Sequence, residues 1–249
     1  MIDEEIMNAV ELTLPRLKIY RGEAPEEFWN GFPRRELPKQ ASTRVDTVSL
    51  RSIFHSVKKK LLPSQIRRGE KAIHDLRNGA ESYQKESLPG CFVQNASSCY
   101  ENGPGLTEKI KSWVEQGFAA GPFKDPPCSN FRVNPITVDT RGGKIRPIIN
   151  LSSPKGGSFN ENINRAKLEK VRNLTAKEFG YMICEAGKNA KMSKYDLSDA
   201  YKLVPAKPED FRLQGFFWLG RYFIETQMIF GGCPSVCNFD RLGNTYEKT

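Results

Sequence analysis

The sequence predicts an α+β fold, and three observations carry that expectation. Two stretches have the apolar spacing and end signals of helices, one after Thr107 and one after Thr175. Two others, Asn134 to Leu151 and Leu213 to Met228, read as strand–turn–strand hairpins. A hydrophobic fraction of 38% over 249 residues can supply a core around them.

In chain order, residues 1–104 are expected to form a mostly helical, linker-containing region, and residues 105–249 a second unit. Prolines at Pro15, Pro33, Pro38 and Pro63 interrupt the first region, and basic clusters fall at Arg34-Arg35, Lys58-Lys59-Lys60 and Arg67-Arg68. Short helices joined by flexible segments fit this pattern. One is expected to run from a Ser64 cap to Gly79, with Ile66, Ile73 and Leu76 roughly on one face. The basic residues read as a solvated face in most such cases, with nucleic-acid contact as the minority reading.

Thr107 is expected to cap a helix in which Ile110, Trp113 and Val114 fall at i, i+3 and i+4, and Gly117 suits its left-handed stop. In the first hairpin, β-prone runs at 136–138 and 145–151 flank Thr140-Arg-Gly-Gly143. Pro147 cannot donate to a ladder, which confines the second run to a sheet edge or a bulge. Thr175-Ala-Lys-Glu178 has capping-box spacing, and Phe179, Met182, Ile183 and Ala186 then form an apolar stripe, expected to face the core, before Gly187. Met192 to Asp196 reads as a short strand. Ser198 or Asp199 opens a short helix, which Pro205 curtails. The second hairpin turns at Leu219-Gly220.

A net charge of +9 and a pI near 9.2 point to an acidic partner, of which nucleic acid is the commonest. A basic surface kept for solubility is the competing explanation. Six cysteines without a Cys-x-x-Cys pair, and only His55 and His74 beside them, show no zinc-ligand spacing. Reduced thiols in a cytoplasmic or nuclear protein are expected. The N-terminus lacks the features of a signal peptide, and no apolar run is long enough to span a bilayer, so no membrane partner is expected.

The most informative stretch is Lys194-Tyr-Asp-Leu-Ser-Asp-Ala-Tyr-Lys-Leu-Val-Pro205. Read alone, Asp196 is as readily a helix cap as a metal ligand. The whole pattern, Asp-x-x-Asp-Ala-Tyr followed by x-x-Val-Pro, resembles motif A of reverse transcriptases. Upstream, Gly121-Pro-Phe, Asn130-Phe-Arg-Val-Asn-Pro135, Lys144-Ile-Arg-Pro-Ile-Ile-Asn-Leu-Ser-Ser-Pro-Lys-Gly157 and Ser158-Phe-Asn160 resemble the fingers of that family. Downstream, Phe230-Gly-Gly-Cys-Pro-Ser-Val-Cys-Asn-Phe239 is similar to motif B, with Val236 where the family usually has proline. The likeness is nearest to the tyrosine-recombinase, DIRS-like retrotransposons.

This resemblance implies a right-hand polymerase with fingers and a partial palm. Asp196 would be the catalytic ligand of two magnesium ions, with the Leu197 carbonyl as a further ligand. The amides of Asp199 and Ala200 would hold the triphosphate of an incoming deoxynucleoside triphosphate. Tyr201 would exclude a 2′-hydroxyl; on spacing alone, a half-buried core aromatic is the favoured reading. Arg146 would fold over the triphosphate with Lys144 and Arg141 as helpers, against the plain reading of solvated hairpin residues. Phe230, Gly231 and Gly232 would approach the templating base and nucleotide, although a glycine turn leading into a helix explains the glycines nearly as well.

The family's Tyr-x-Asp-Asp motif C is not found, and no Asp-Asp pair occurs in the chain. A truncated polymerase, inactive alone, is therefore expected, with RNA or DNA template-primer as ancestral partner and self-association through an exposed palm edge. The alternative is a domesticated, non-catalytic module that binds RNA or single-stranded DNA.

Overall fold

The computed structural model describes residues 23–171, 173–192, 197 and 199–246. Its helices are α1 (Thr47–Val57), α2 (Pro63–Asn78), α3 (Ser97–Glu101), α4 (Gly103–Glu115), α5 (Ala176–Ala186) and α6 (Cys233–Tyr246). The strands are β1 (Cys91–Phe92), β2 (Ala119–Phe123), β3 (Arg132–Val133), β4 (Ile136–Asp139), β5 (Arg146–Ile149), β6 (Gly215–Trp218) and β7 (Arg221–Glu225). The expected α+β class is observed. One mixed sheet has the order β1-β3-β6-β7-β2, and β4 and β5 form a separate antiparallel ribbon.

Alternation along the β6–β7 hairpin organises the packing. Phe216, Trp218 and Phe223 point to one face of the sheet, where they meet Leu106, Ile110 and Val114 of α4 together with Phe28, Trp29 and Phe32. Ile224 and the half-buried Phe217 and Tyr222 point to the other, towards Leu50 and Phe54 of α1, Ile73 and Leu76 of α2 and Leu242 of α6. Two apolar layers on a strand of period two require this arrangement. The hairpin turn uses Leu219 and Gly220 at φ 47° and 86°, the left-handed pair that matches the twist of its strands.

Several local expectations are met. β4 and β5 pair in the register Ile136↔Ile149 to Asp139↔Arg146, with Pro147 in a two-stranded ribbon where each strand is an edge. The capping box at Thr175 and Glu178 forms, and Gly187 ends α5 at φ 81°.

Three expectations are corrected. Helix α2 begins at Pro63, not at a Ser64 cap: proline supplies the first-turn φ, and Gln65 Oε1 accepts from the Leu62 amide at 2.9 Å. Helix α4 begins at Gly103 with Pro104 in its first turn, so Thr107 lies inside the helix. Its buried hydroxyl donates to the Gly103 carbonyl and accepts from Trp218 Nε1 at 3.0 Å, tying α4 to the sheet. The apolar stripe of α5 does not face the core; Phe179, Met182 and Ile183 are 48%, 54% and 41% exposed, and no residue of α5 is buried. A stripe identifies a face, but burial needs a second element against it.

The α1–α2 contact depends on Gly69. The Phe54 ring lies where a Cβ would be, 2.2 Å from its ideal position, so the two helices approach more closely than any larger residue allows. Among the described residues no helix is long and apolar enough to cross a membrane.

Candidate functional site

Asp196, with Ser193, Lys194, Tyr195 and Ser198, lies outside the described residues. Leu197 is described and 54% exposed. Beyond it Asp199 takes a left-handed φ of 53° and its carbonyl accepts from the Lys202 amide at 2.7 Å, opening the 3-10 turn Ala200–Leu203. Aspartate tolerates this conformation better than most residues. Asp199 is exposed and Ala200 half-buried at the start of the turn.

Tyr201 is half-buried, with ring centroids 5.6 Å from both Phe230 and Phe239. It therefore joins the turn to the glycine loop and to α6. Phe230 is 61% exposed, and Gly231 has a φ of 97°. A Cβ on Gly232 would come within 2.9 Å of Ser235 Oγ, so the loop is tight as well as left-handed.

Asn160 clasps this loop. Its Nδ2 donates to the Gly231 carbonyl and to Ser152 Oγ, each at 2.9 Å, and its Oδ1 accepts from the Cys233 amide at 2.9 Å. The turn before it is held from two sides. Arg132, 1% exposed, donates to the Gly157 carbonyl at 2.5 Å, and the Glu161 carboxylate accepts from the Ser158 amide and hydroxyl at 3.0 and 2.8 Å. Those bonds from Ser158, with help from the Gly156 and Gly157 amides, hold the Glu161 carboxyl down at about 2.

A folded-state value below the ordinary 4.5 means that Glu161 stabilises the fold fully above pH 4.5 and loses that contribution as pH falls towards 2. Thermal unfolding followed by circular dichroism should fall more steeply across this window in the natural chain than in Glu161→Gln. Parallel profiles would show that the carboxylate is not held in this way.

Lys202 follows Tyr201 and points inward. Its side chain is 11% exposed and meets the carboxylate of Glu225 on β7, itself 1% exposed. Its ammonium also lies 4.6 Å from the centroid of the Trp113 ring on α4. Burial lowers the ammonium to about 7, against the opposing charge of Asp199. The turn carrying Asp199, Ala200 and Tyr201 is thus pinned to the sheet by a buried ion pair.

Lys144 and Arg146 are placed elsewhere. Both are exposed on the β4–β5 ribbon and line a groove against α4 with Gly105, Glu108, Lys109 and Ser112. The Arg146 guanidinium donates to the Arg141 carbonyl of its own hairpin, and Arg141 pairs with Asp139 at 3.0 Å. Among the described residues no hydrogen bond or ion pair joins Lys144 or Arg146 to Asp199, Ala200, Tyr201 or Phe230–Gly232. The other end of β5 does reach the loop: the Ile149 carbonyl lies 3.9 Å from an ideal Cβ on Gly231.

The structure therefore gathers Tyr201, Phe230, Gly231 and Gly232, and it leaves Lys144 and Arg146 in a separate groove. Among the described residues no cluster of three or more His, Cys, Asp or Glu could hold a metal ion. Sequence reasoning passed over Lys202 and Glu161, and it quoted Asn160 without a role. A lysine inside an otherwise apolar Tyr-Lys-Leu-Val run was the one available signal, since a charge there needs a buried partner.

No protein-family model matches the chain, and no curated protein matches it. Among solved structures it is similar to the foamy viral protease–reverse transcriptase in complex with double-stranded DNA, at 13% identity and a TM-score of 0.42, covering 81% of this chain and 35% of that one. It is also similar to the native prototype foamy virus protease–reverse transcriptase, at 17% identity and a TM-score of 0.43, covering 81% and 27%. A third is the foamy viral protease–reverse transcriptase in complex with an RNA/DNA hybrid, at 14% identity and a TM-score of 0.42, again covering 81% and 27%. The chain spans 35% or less of the length of each of these structures.

Proposed function

We propose that the chain is the nucleotide-contacting part of an RNA-directed DNA polymerase, comprising fingers and the N-terminal part of the palm. The observation that supports this most is the apposition of three segments distant in sequence. Asn160, from the fingers-like stretch, bonds both sides of the glycine loop, and Tyr201, from the motif A-like turn, packs against Phe230 of that loop. The resemblance implies an incoming nucleotide that touches the motif A-like turn and the glycine loop, and Asn160 holds that loop in shape.

In this reading Tyr201 occupies the sugar position and discriminates against a 2′-hydroxyl by exclusion. Phe230–Gly232 forms the wall beside the templating base, with backbone close because glycine has no side chain. Asp199 and Ala200 present the start of a turn to phosphate. Arg146 reaches the triphosphate only if its guanidinium leaves the Arg141 carbonyl. Asp196 and the Leu197 carbonyl would hold magnesium; among the described residues no cluster of three or more His, Cys, Asp or Glu would add to that donor set.

Primer extension on an RNA template with magnesium tests the proposal, with a palm segment bearing a Tyr-x-Asp-Asp motif supplied, because the chain alone is expected to be inactive. Extension should be lost in Asp196→Ala, and Tyr201→Ala should raise incorporation of ribonucleotides relative to deoxynucleotides by about tenfold, the equivalent of about 1.4 kcal/mol of discrimination. Extension that survives Asp196→Ala would overturn the assignment. The net charge of +9 favours a second reading, a non-catalytic module for RNA or single-stranded DNA. That module would show salt-sensitive binding, unchanged by Asp196→Ala, and no extension.

A further inference from the structure

The helical hairpin α1–α2 carries a basic cleft on the surface, with Thr47, Val48, Arg51, Ser52, His55 and Arg77 around about 410 Å³. No carboxylate lines it. Arg51 and Arg77 come from opposite helices and are both exposed. They share one cleft because Phe54 packs onto Gly69 and draws the helices together.

Ion pairing separates these arginines from other basic residues of the hairpin. Lys58 meets Glu70 at 2.5 Å, Lys71 meets Asp75 at 2.6 Å, and Arg68 meets Glu169 and Asp240 at 2.8 and 2.5 Å. Among the described residues neither Arg51 nor Arg77 forms an ion pair. The nearby Asp46 is occupied by the α1 cap, accepting from the Val48 and Ser49 amides and the Ser49 hydroxyl. The His55 ring is fixed as well. Its Nδ1 lies 2.9 Å from the Arg51 carbonyl, which can only accept, so the network assigns the proton to Nδ1 and leaves Nε2 available.

Two guanidinium groups without ion pairs, lining one cleft together with Thr47 and Ser52, form a donor set suited to phosphate oxygens. We propose that this cleft binds the phosphate backbone of a single-stranded nucleic acid, at a site separate from the polymerase-like loop. The chemistry favours nucleic acid over a lipid surface. The 11-residue helix α1 interleaves Ser49, Ser52 and Ser56 with its exposed apolar side chains Val48 and Ile53, which leaves no continuous apolar face to insert. Lys59 and Lys60 are exposed as well but do not line the cleft.

The inference does not depend on polymerase activity, and its test is separate. Fluorescence anisotropy of labelled oligouridylate would be measured against the full chain over a salt series. In Arg51→Gln/Arg77→Gln the Kd should rise about tenfold at low salt, and the slope of log Kd against log salt should fall by about 1.4, as for two lost phosphate contacts on a single strand. Both positions are exposed, and an unchanged circular dichroism melt would confirm that the fold is intact. Lys59→Gln/Lys60→Gln removes the same charge outside the cleft and should have a clearly smaller effect.

Equal losses in the two double variants would overturn the site, because bulk charge would then account for binding. So would a Kd and slope unchanged by Arg51→Gln/Arg77→Gln. If that variant instead loses binding to phosphatidylserine vesicles and retains oligouridylate, the partner is a membrane surface and the proposal fails. Loss of extension in Asp196→Ala with retained oligouridylate binding would leave the cleft standing.

Discussion

Arg241→Leu is expected to lower the unfolding free energy by about 3–5 kcal/mol, the range for removing one partner of a buried charge cluster. Arg241 lies on α6 at 2% exposure, and its guanidinium donates to Asp75 Oδ2 at 2.8 Å, to Asn238 Oδ1 at 3.0 Å and to Glu169 Oε1 at 3.0 and 3.1 Å. Asp75, on α2, is 3% exposed and among the described residues keeps Lys71 at 2.6 Å and the His74 ring at 3.5 Å when the arginine is lost. Helix α6 then keeps only its outer links to α2 and to the segment around Glu169, Asp240 to Arg68 at 2.5 Å and Cys237 Sγ to the Glu169 carbonyl at 3.1 Å, among the described residues. Urea denaturation reads the effect directly. Arg241→Lys should fall between the two, because an ammonium restores charge but not the fork that serves three acceptors. A loss below about 1 kcal/mol for Arg241→Leu would mean that this network behaves like a surface pair.

Lys202→Met should cost a similar amount, about 3–5 kcal/mol, because it leaves the Glu225 carboxylate buried without its cation. The double variant Lys202→Met/Glu225→Gln should recover most of that loss, since both charges then leave the interior together. Recovery is the diagnostic part. A double variant whose cost equals the sum of the singles would show that the two groups do not interact. The pair also bears on function, because Lys202 pins the turn that presents Tyr201. In the double variant stability should return while discrimination against ribonucleotides weakens, as the turn is no longer drawn towards Trp113.

The elements legible in the sequence share one property: their signals are local. Gly79 ends α2, Thr175 and Glu178 cap α5, and Leu219-Gly220 closes β6 onto β7, in each case through bonds within a few residues. Pro147 likewise announced an edge strand, since its missing N–H forbids an interior one. Thr107 misled because a threonine ahead of an apolar stripe has the signature of a cap. Pro104 had already started the helix, and the hydroxyl was free to bond Trp218.

The sequence by itself determined the α+β class, the two hairpins and the motif A-like and motif B-like runs, because dihedral preference and side-chain periodicity act over short distances. Tertiary structure alone decided the rest. It brought Tyr201 onto Phe230, set Asn160 across the glycine loop, and buried Lys202 against Glu225, 23 residues away. It also left the apolar stripe of α5 uncovered and put Arg51 and Arg77 into one cleft. Each of these outcomes depends on which faces meet once the sheet and helices pack. Contacts between residues far apart in the chain are selected by the shape and charge of the assembled layers, which no local pattern encodes.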